Sequence, residues 1–371
     1  MNKKILWITD MDFKESGYYR LSVPLCTGLA QDNDVKVLGF SYKREEHTFP
    51  FSIIPVANYR ELNGMIENLI KIWKPDLVII ASDVPKVETI HEMVERQSYD
   101  LPVIAITPLE NPPLCFSWSA SLMKLSHVFF ISEVANTAAK ATGLLNTSHL
   151  PVPIDTDFWC PAPRKEIRKK LGWDDSTVVF LTVGANQERK NLSAGMEIIS
   201  QLKKDGMKVK HIIITKDNTV YGWKLRDLAI DLLDTNQETS IVEAGISKED
   251  LREYYQAADW FLHPSKAEGL GLSVLEAMAC GLPVIATDTG AMTELLADNR
   301  GILVPSAFRF IDVWGNSYRD MIDVQKAAAM IQGDTWSEPN LKLARDFVVN
   351  RTQENAVNML SEKIEELTNE K

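Results

Sequence analysis

Cysteine is scarce. The four residues Cys26, Cys115, Cys160 and Cys280 lie far apart and form no CxxC pair. A disulfide framework and a zinc site are therefore both unexpected, and small buried thiols in a reducing compartment are the simple reading. Basic charge is also in deficit, with 40 Lys+Arg against 51 Asp+Glu and a net charge of −11. Proteins that grip nucleic acid through its phosphates need a basic surface, so the composition argues against that class of partner. No apolar run reaches the roughly 18 residues of a membrane-spanning helix. The opening MNKKILWITD has two lysines but no long apolar segment, so no signal peptide is expected and a cytoplasmic location is. No HExxH, GxSxG or P-loop string occurs. The six histidines have no ligand-like spacing; His263 either lines a site or packs at a strand end. Asp155-Thr-Asp157 has the spacing of a metal-binding acid pair but sits among prolines, so no metal site is expected.

What remains is an ordinary globular composition, 45% hydrophobic and 25% charged over 371 residues, enough for two domains. Short β-branched runs alternate with longer amphipathic stretches. Ile5–Ile8, Val35–Leu38, Leu77–Ile80, Val103–Ile106 and Val128–Ile131 read as strands. Between them, Leu62, Ile66, Ile70 and Trp73 recur at helical spacing. Strand–helix alternation with near-continuous apolar strands predicts a parallel, doubly wound sheet. Leu150 to Pro163 carries four prolines and breaks the rhythm, which then restarts at Val178–Val183. The expected organisation is a Rossmann-like domain over 1–152, a Pro-rich hinge over 153–163 and a second Rossmann-like domain over 164–345. A C-terminal helix over 346–371 is expected to cross back to the first domain. Two such α/β domains facing each other would form a cleft, with ligands beyond the carboxyl ends of the strands.

The most informative stretch runs from Lys266 to Thr287. A loop, Glu268-Gly-Leu-Gly-Leu272, follows the strand Trp260–Leu262 and leads into a helix ending near Gly281. Gly269 and Gly271 allow close backbone approach, and free amides at a helix start suit a phosphate. Glu268 and Glu276 flank that start and are suited to accept hydrogen bonds from sugar or ribose hydroxyls. The bland alternatives are a capping box, Ser273-Val-Leu-Glu276, and an exposed loop acid at 268. A second candidate is Val183-Gly-Ala-Asn-Gln-Glu-Arg-Lys-Asn-Leu192, where Arg189 and Lys190 after a strand could neutralise a diphosphate. Its alternative is a solvated basic pair.

Glu-x7-Glu followed by Ala-Met-Ala-Cys-Gly-Leu-Pro-Val-Ile-Ala-Thr resembles the donor-site signature of retaining GT-B-fold glycosyltransferases, the glycosyl transferases group 1 family. The resemblance is strongest over Val178 to Val304. It implies that Glu268 bonds donor-sugar hydroxyls and that Glu276 holds the ribose. It also implies that Gly269, Leu270, Gly271 and Leu272 meet the sugar and distal phosphate, and that Gly184, Arg189 and Lys190 line the diphosphate. Glu268, Arg189 and Lys190 are then the catalytic candidates. No cofactor beyond a nucleotide-sugar donor, UDP- or GDP-linked, is implied, and no metal. In the family an Arg often follows the glycine directly; here that position is Ala185. A His common after a middle strand of the first domain is also absent, leaving Glu110 or Asn111 in its region. Gly17 and Arg20, after the first strand, are candidate contacts to acceptor or donor, with an ordinary strand–helix turn as the alternative.

The reaction implied is transfer to a hydroxyl acceptor with retained configuration, without a metal and with hinge closure excluding water. A glycan, small molecule or protein acceptor is favoured over a lipid, since acids outnumber bases in the first 150 residues. A modified nucleobase is the remaining acceptor class, if Lys14, Arg20, Lys43 and Arg44 cluster. The reading of another class is a sugar-nucleotide-binding protein that has lost transfer.

Overall fold

The near-continuous apolar runs become strands buried on both faces, and the amphipathic stretches become the helices that cover them. The computed structural model describes residues 2–13, 16–98, 100–217, 222–233, 238–313, 317–333 and 338–369. The chain divides into two compact units. Unit 1 comprises Met1–Pro153 with Arg351–Lys371, and unit 2 comprises Ile154–Asn350.

In unit 1 the order is β1 (Lys4–Asp10), α1 (Gly17–Leu29), β2 (Asp34–Phe40), β3 (Ser52–Val56), α2 (Tyr59–Asn68), β4 (Leu77–Ala81), α3 (Val84–Glu95), β5 (Val103–Thr107), α4 (Phe116–Leu122), β6 (His127–Phe130), α5 (Glu133–Ala141) and β7 (Thr147–His149). They form one seven-stranded parallel sheet in the order β3-β2-β1-β4-β5-β6-β7. Strand β1 is central, with Ile5 paired to Val35 on one side and Leu77 on the other. Edge strand β3 was not legible, because Pro55 interrupts its apolar pattern; an edge position tolerates that proline.

In unit 2 the order is α6 (Arg164–Leu171), β8 (Val178–Val183), α7 (Leu192–Lys204), β9 (Val209–Thr215), α8 (Leu225–Leu233), β10 (Thr239–Glu243), α9 (Lys248–Ala257), β11 (Trp260–His263), α10 (Leu272–Ala279), β12 (Val284–Thr287), α11 (Met292–Leu295), β13 (Ile302–Val304), β14 (Ser306–Ile311), β15 (Tyr318–Ile322), α12 (Val324–Gly333) and α13 (Glu338–Val349). Its sheet is parallel and six-stranded, in the order β10-β9-β8-β11-β12-β13. An antiparallel hairpin, β14–β15, is added beyond the expected alternation. In the linker, Asp155 spends its carboxylate on the Phe158 amide (3.0 Å), closing a turn.

The C-terminal stretch differs from the continuous helical pattern expected over 340–370. It breaks at Asn350–Thr352 into α13 and α14 (Gln353–Asn369), where the Thr352 hydroxyl accepts from the Asn355 amide. The two helices serve different units, so one apolar stripe cannot run through both. Leu343, on the expected stripe, is 50% exposed. Helix α14 packs in unit 1, and Gly28 in α1 makes this packing close. A Cβ there would lie 2.5 Å from a Val357 methyl. Gln353 also donates to the Pro24 carbonyl (2.7 Å). Among the described residues, no helix is long and apolar enough to cross a membrane.

Candidate functional site

Three loops on the carboxyl rim of the unit 2 sheet build the site. After β8 the chain runs through Gly184 to a short 3-10 turn, Glu188–Lys190. Asn191 then takes a left-handed conformation (φ 52°) and starts α7. A non-glycine residue there needs support, and the Asn191 amide supplies it by donating to the Pro264 carbonyl (3.1 Å). Asn186, buried, ties this loop to the one after β9. It donates to the carbonyls of Trp223 (2.8 Å) and Asp217 (3.2 Å) and accepts from the Trp223 amide (3.0 Å). The loop after β11 is latched to the first in both directions. The Lys266 amide donates to the Arg189 carbonyl (2.8 Å), and the Arg189 guanidinium donates to the Ala267 carbonyl (2.9 Å).

These latches bring Arg189 and Lys190 to Glu268. The Lys190 ammonium and the Arg189 guanidinium (3.3 Å) both donate to Oε2 of Glu268, and His263 Nε2 lies 3.2 Å from the same oxygen. Oε1 of Glu268 has no hydrogen-bond partner among the described residues. Burial pushes the Glu268 pKa up, but Lys190, Arg189 and the His263 hydrogen bond outweigh it. The carboxyl is held well below its ordinary range and stays ionised. Burial pushes His263 the other way, below an ordinary histidine, so it serves as a neutral donor. It stacks on Phe261, with ring centroids 6.0 Å apart. Sequence reading left His263 open between lining and packing; its place five residues before Glu268 was the available signal.

Helix α10 begins beside this carboxylate. Its N-cap is Gly271 at φ 85°, and no side chain caps its first turn. The capping box read from Ser273 and Glu276 is therefore not formed, since the helix already starts at Leu272. Instead the Val274 and Leu275 amides reach back to the Gly271 carbonyl. The amides of Leu272 and Ser273, on half-buried residues, are left for another acceptor. A Cβ at Gly271 would lie 2.7 Å from Met292 Cε, so the end of that side chain would have to move, and 3.5 Å from Glu268 Cγ, an ordinary contact. Gly269 and Leu270 are buried in the same loop.

Glu276 is fully buried one turn into α10, where Tyr255 Oη donates to its Oε2 (3.0 Å). Gly184 lies against the Lys190 stem: a Cβ on it would sit 3.8 Å from Lys190 Cδ. Ala185 presents no charge, and the Arg189–Lys190 pair provides the local cations. Sequence reading missed two supports of the loop. Lys266, nearly buried, pairs with Glu188 and lies over the Trp223 ring (5.9 Å). Asp320 of β15 accepts from Thr289 (2.9 Å) and donates its amide to the Lys266 carbonyl (2.8 Å).

The remaining candidates lie in unit 1. Gly17 opens α1 and is exposed, with Ser16 capping the helix through the Tyr18 and Tyr19 amides; Arg20 is half-buried one turn on. Glu110, half-buried, and Asn111, buried, follow β5. Both sets lie on the carboxyl rim of the unit 1 sheet, with β4 between their strands. Lys43 and Arg44 follow β2, and Lys14 lies outside the described residues.

Residues 163–310 match the family model for Glycosyl transferases group 1. The chain is 32% identical over 135 residues to the alpha-monoglucosyldiacylglycerol synthase of Streptococcus pneumoniae, covering 36% of this chain and 30% of that protein. It is 29% identical over 204 residues to the GDP-mannose-dependent alpha-(1-6)-phosphatidylinositol monomannoside mannosyltransferase of Mycolicibacterium smegmatis, covering 52% of each. The chain thus spans about a third to a half of the length of these curated relatives. The crystal structure of Anabaena HepE in complex with UDP-glucose superposes with a TM-score of 0.76 at 16% identity, covering 98% of this chain and 100% of that one. That likeness establishes the fold: two Rossmann-like α/β domains of the GT-B type.

Proposed function

We propose that the chain is a glycosyltransferase that moves a sugar from a nucleoside-diphosphate sugar to a hydroxyl acceptor with retained anomeric configuration. The observation that carries this reading is the single carboxylate of Glu268, gripped through one oxygen by Arg189 and Lys190 beside the uncapped start of α10. Cations and free helix amides are what a diphosphate needs, and a carboxylate oxygen left open is what a sugar hydroxyl needs. Glu276, buried on the same helix, is read as the acceptor of ribose hydroxyl bonds.

In this reading the bond from the anomeric carbon to the diphosphate breaks, and negative charge develops on the leaving oxygen. Lys190, Arg189 and the Leu272 and Ser273 amides stabilise that charge in place. The acceptor oxygen attacks from the same face, and the departing phosphate takes its proton. No protein base is required, and the charge is met by side chains and amides without a metal. Ala185 means that Arg189 and Lys190 alone supply the cationic charge on this loop.

The test is a thermal-shift and hydrolysis screen against UDP-, GDP- and ADP-sugars, run beside Glu276→Ala. One nucleotide class should stabilise the wild type, and the variant should lose that shift. If no nucleotide sugar stabilises the wild type, the donor site is wrong and the reading falls.

A further inference from the structure

Glu276 is fully buried, and a carboxylate in that position is held by protein donors rather than by bulk water. Tyr255 in α9 is one such donor, reaching Oε2 with its hydroxyl (3.0 Å). The tyrosine is itself buried and packed on both neighbouring elements. Its ring meets Trp159 of the linker edge-on (centroids 5.6 Å, interplanar angle 87°) and Phe261 of β11 at a tilt (5.6 Å, 40°). Trp159 is buried too. Rings locked in this way deliver the Tyr255 hydroxyl to one place.

The linker is fastened to the same face of α9. Arg252, Tyr255 and Gln256 stand at positions i, i+3 and i+4 of that helix, so they share a side of it. Gln256 donates to the Cys160 carbonyl (2.6 Å). Arg252 donates to the Phe158 carbonyl (3.2 Å) and lies over the Phe158 ring (4.6 Å). The turn closes on itself where the Trp159 amide donates to the Asp155 carbonyl (2.8 Å). It also reaches the far end of α10, since a Cβ on Gly281 would lie 3.4 Å from Pro161 Cγ. All of these residues belong to unit 2. Composition marked residues 153–163 only as a stiff connection; the structure makes this segment the outer wall behind Tyr255.

We infer that Tyr255 is a positioning residue for ribose recognition, and that the linker turn over 155–160 holds it there through Trp159. The inference rests on the reading of Glu276 as the acceptor of ribose hydroxyl bonds. A glutamate carboxylate turns easily about its last torsion, and a bond to one oxygen fixes its plane. The directions offered to the ribose hydroxyls are then set before the nucleotide arrives, which lowers the cost of binding. Tyr255 acts through Glu276 and stands one residue removed from the nucleotide.

The experiment is calorimetry on the full chain with UDP, GDP and ADP, followed by the 2′,3′-dideoxy analogue of whichever binds most tightly. The wild type should prefer the ribonucleotide by roughly tenfold or more, and Glu276→Ala should lose that preference. Tyr255→Phe keeps the ring against Trp159 and Phe261 and removes only the hydroxyl. It should weaken the ribonucleotide about tenfold and leave the dideoxy analogue nearly unchanged. In turnover its donor KM should rise while kcat stays within about threefold, because the reacting bond is not touched. Trp159→Ala should also narrow the preference, and Trp159→Phe should restore it. A Tyr255→Phe variant that keeps the wild-type preference, or that weakens both nucleotides equally, would overturn the positioning role. An unchanged preference in Trp159→Ala would overturn the part given to the linker. Failure of the donor reading shows differently, in a wild type that does not distinguish the two nucleotides or a Glu276→Ala variant that distinguishes them as well as wild type, and the inference falls with it.

Discussion

His263 Nε2 lies 3.2 Å from Oε2 of Glu268, the oxygen that Lys190 and Arg189 also grip. A neutral donor and two cations therefore fix one oxygen and leave the other open. Glu268→Gln keeps the shape but removes the charge that holds Lys190 and Arg189. Transfer should fall by about 10²–10³, the usual cost of losing one preorganised electrostatic group. Turnover of the best nucleotide sugar, measured by product analysis, checks this; a variant within tenfold of wild type would remove Glu268 from the chemistry.

Lys190 and Arg189 differ in how they are held. Arg189 also donates to the Ala267 carbonyl, whereas Lys190 projects past Gly184 to Glu268. Lys190→Ala should weaken nucleotide-sugar binding by roughly tenfold or more, the scale of a charge-assisted hydrogen bond. Lys190→Arg should recover part of it. Calorimetry reads both, and equal affinity in wild type and Lys190→Ala would contradict the diphosphate assignment.

Burial pushes the histidines down: His211 to about 3, and His127 and His149 to about 4, the latter two with help from Lys363 and Arg351 respectively. Folded, they stay neutral below the ordinary value of 6.5. Below that pH the unfolded chain takes up protons that the folded chain refuses. Stability is therefore complete above about pH 6.5 and is lost as pH falls toward the folded values, at up to about 1.4 kcal/mol per pH unit for each group. The thermal midpoint should drop steadily from pH 7 to pH 5, and a flat midpoint over that range would contradict the burial of these groups as neutral imidazoles.

The parallel sheets were legible because buried strands leave unbroken runs such as Leu77–Ile80 and Val103–Ile106. The loop between β11 and α10 stood out as a candidate because two glycines between an acid and a helix start allow close backbone approach to an anion. What the pattern hid was tertiary. The break between α13 and α14 arises where the chain passes from one unit to the other, and its local mark is slight, the Thr352 hydroxyl that caps α14. Asn186, Lys266 and Asp320 act on loops far away in sequence, so their polar character alone read as surface.

Gly271 concentrates two separate demands. Its φ of 85° is left-handed, and a Cβ would approach Met292 Cε to 2.7 Å. Gly271→Ala meets both, and together the strain and the clash should cost about 1–3 kcal/mol. The Met292 end is flexible, so the double variant Gly271→Ala/Met292→Ala relieves the clash but not the backbone strain. Met292 is itself fully buried, so its own truncation must be measured alone and subtracted in a double-mutant cycle. A favourable coupling between the two positions would assign part of the cost to the clash, and zero coupling would assign it to the backbone. In either case, nucleotide-sugar affinity in Gly271→Ala should fall more than in Met292→Ala, because only the former moves the Leu272 and Ser273 amides. Equal affinities in these two variants would mean that the start of α10 does not meet the phosphate.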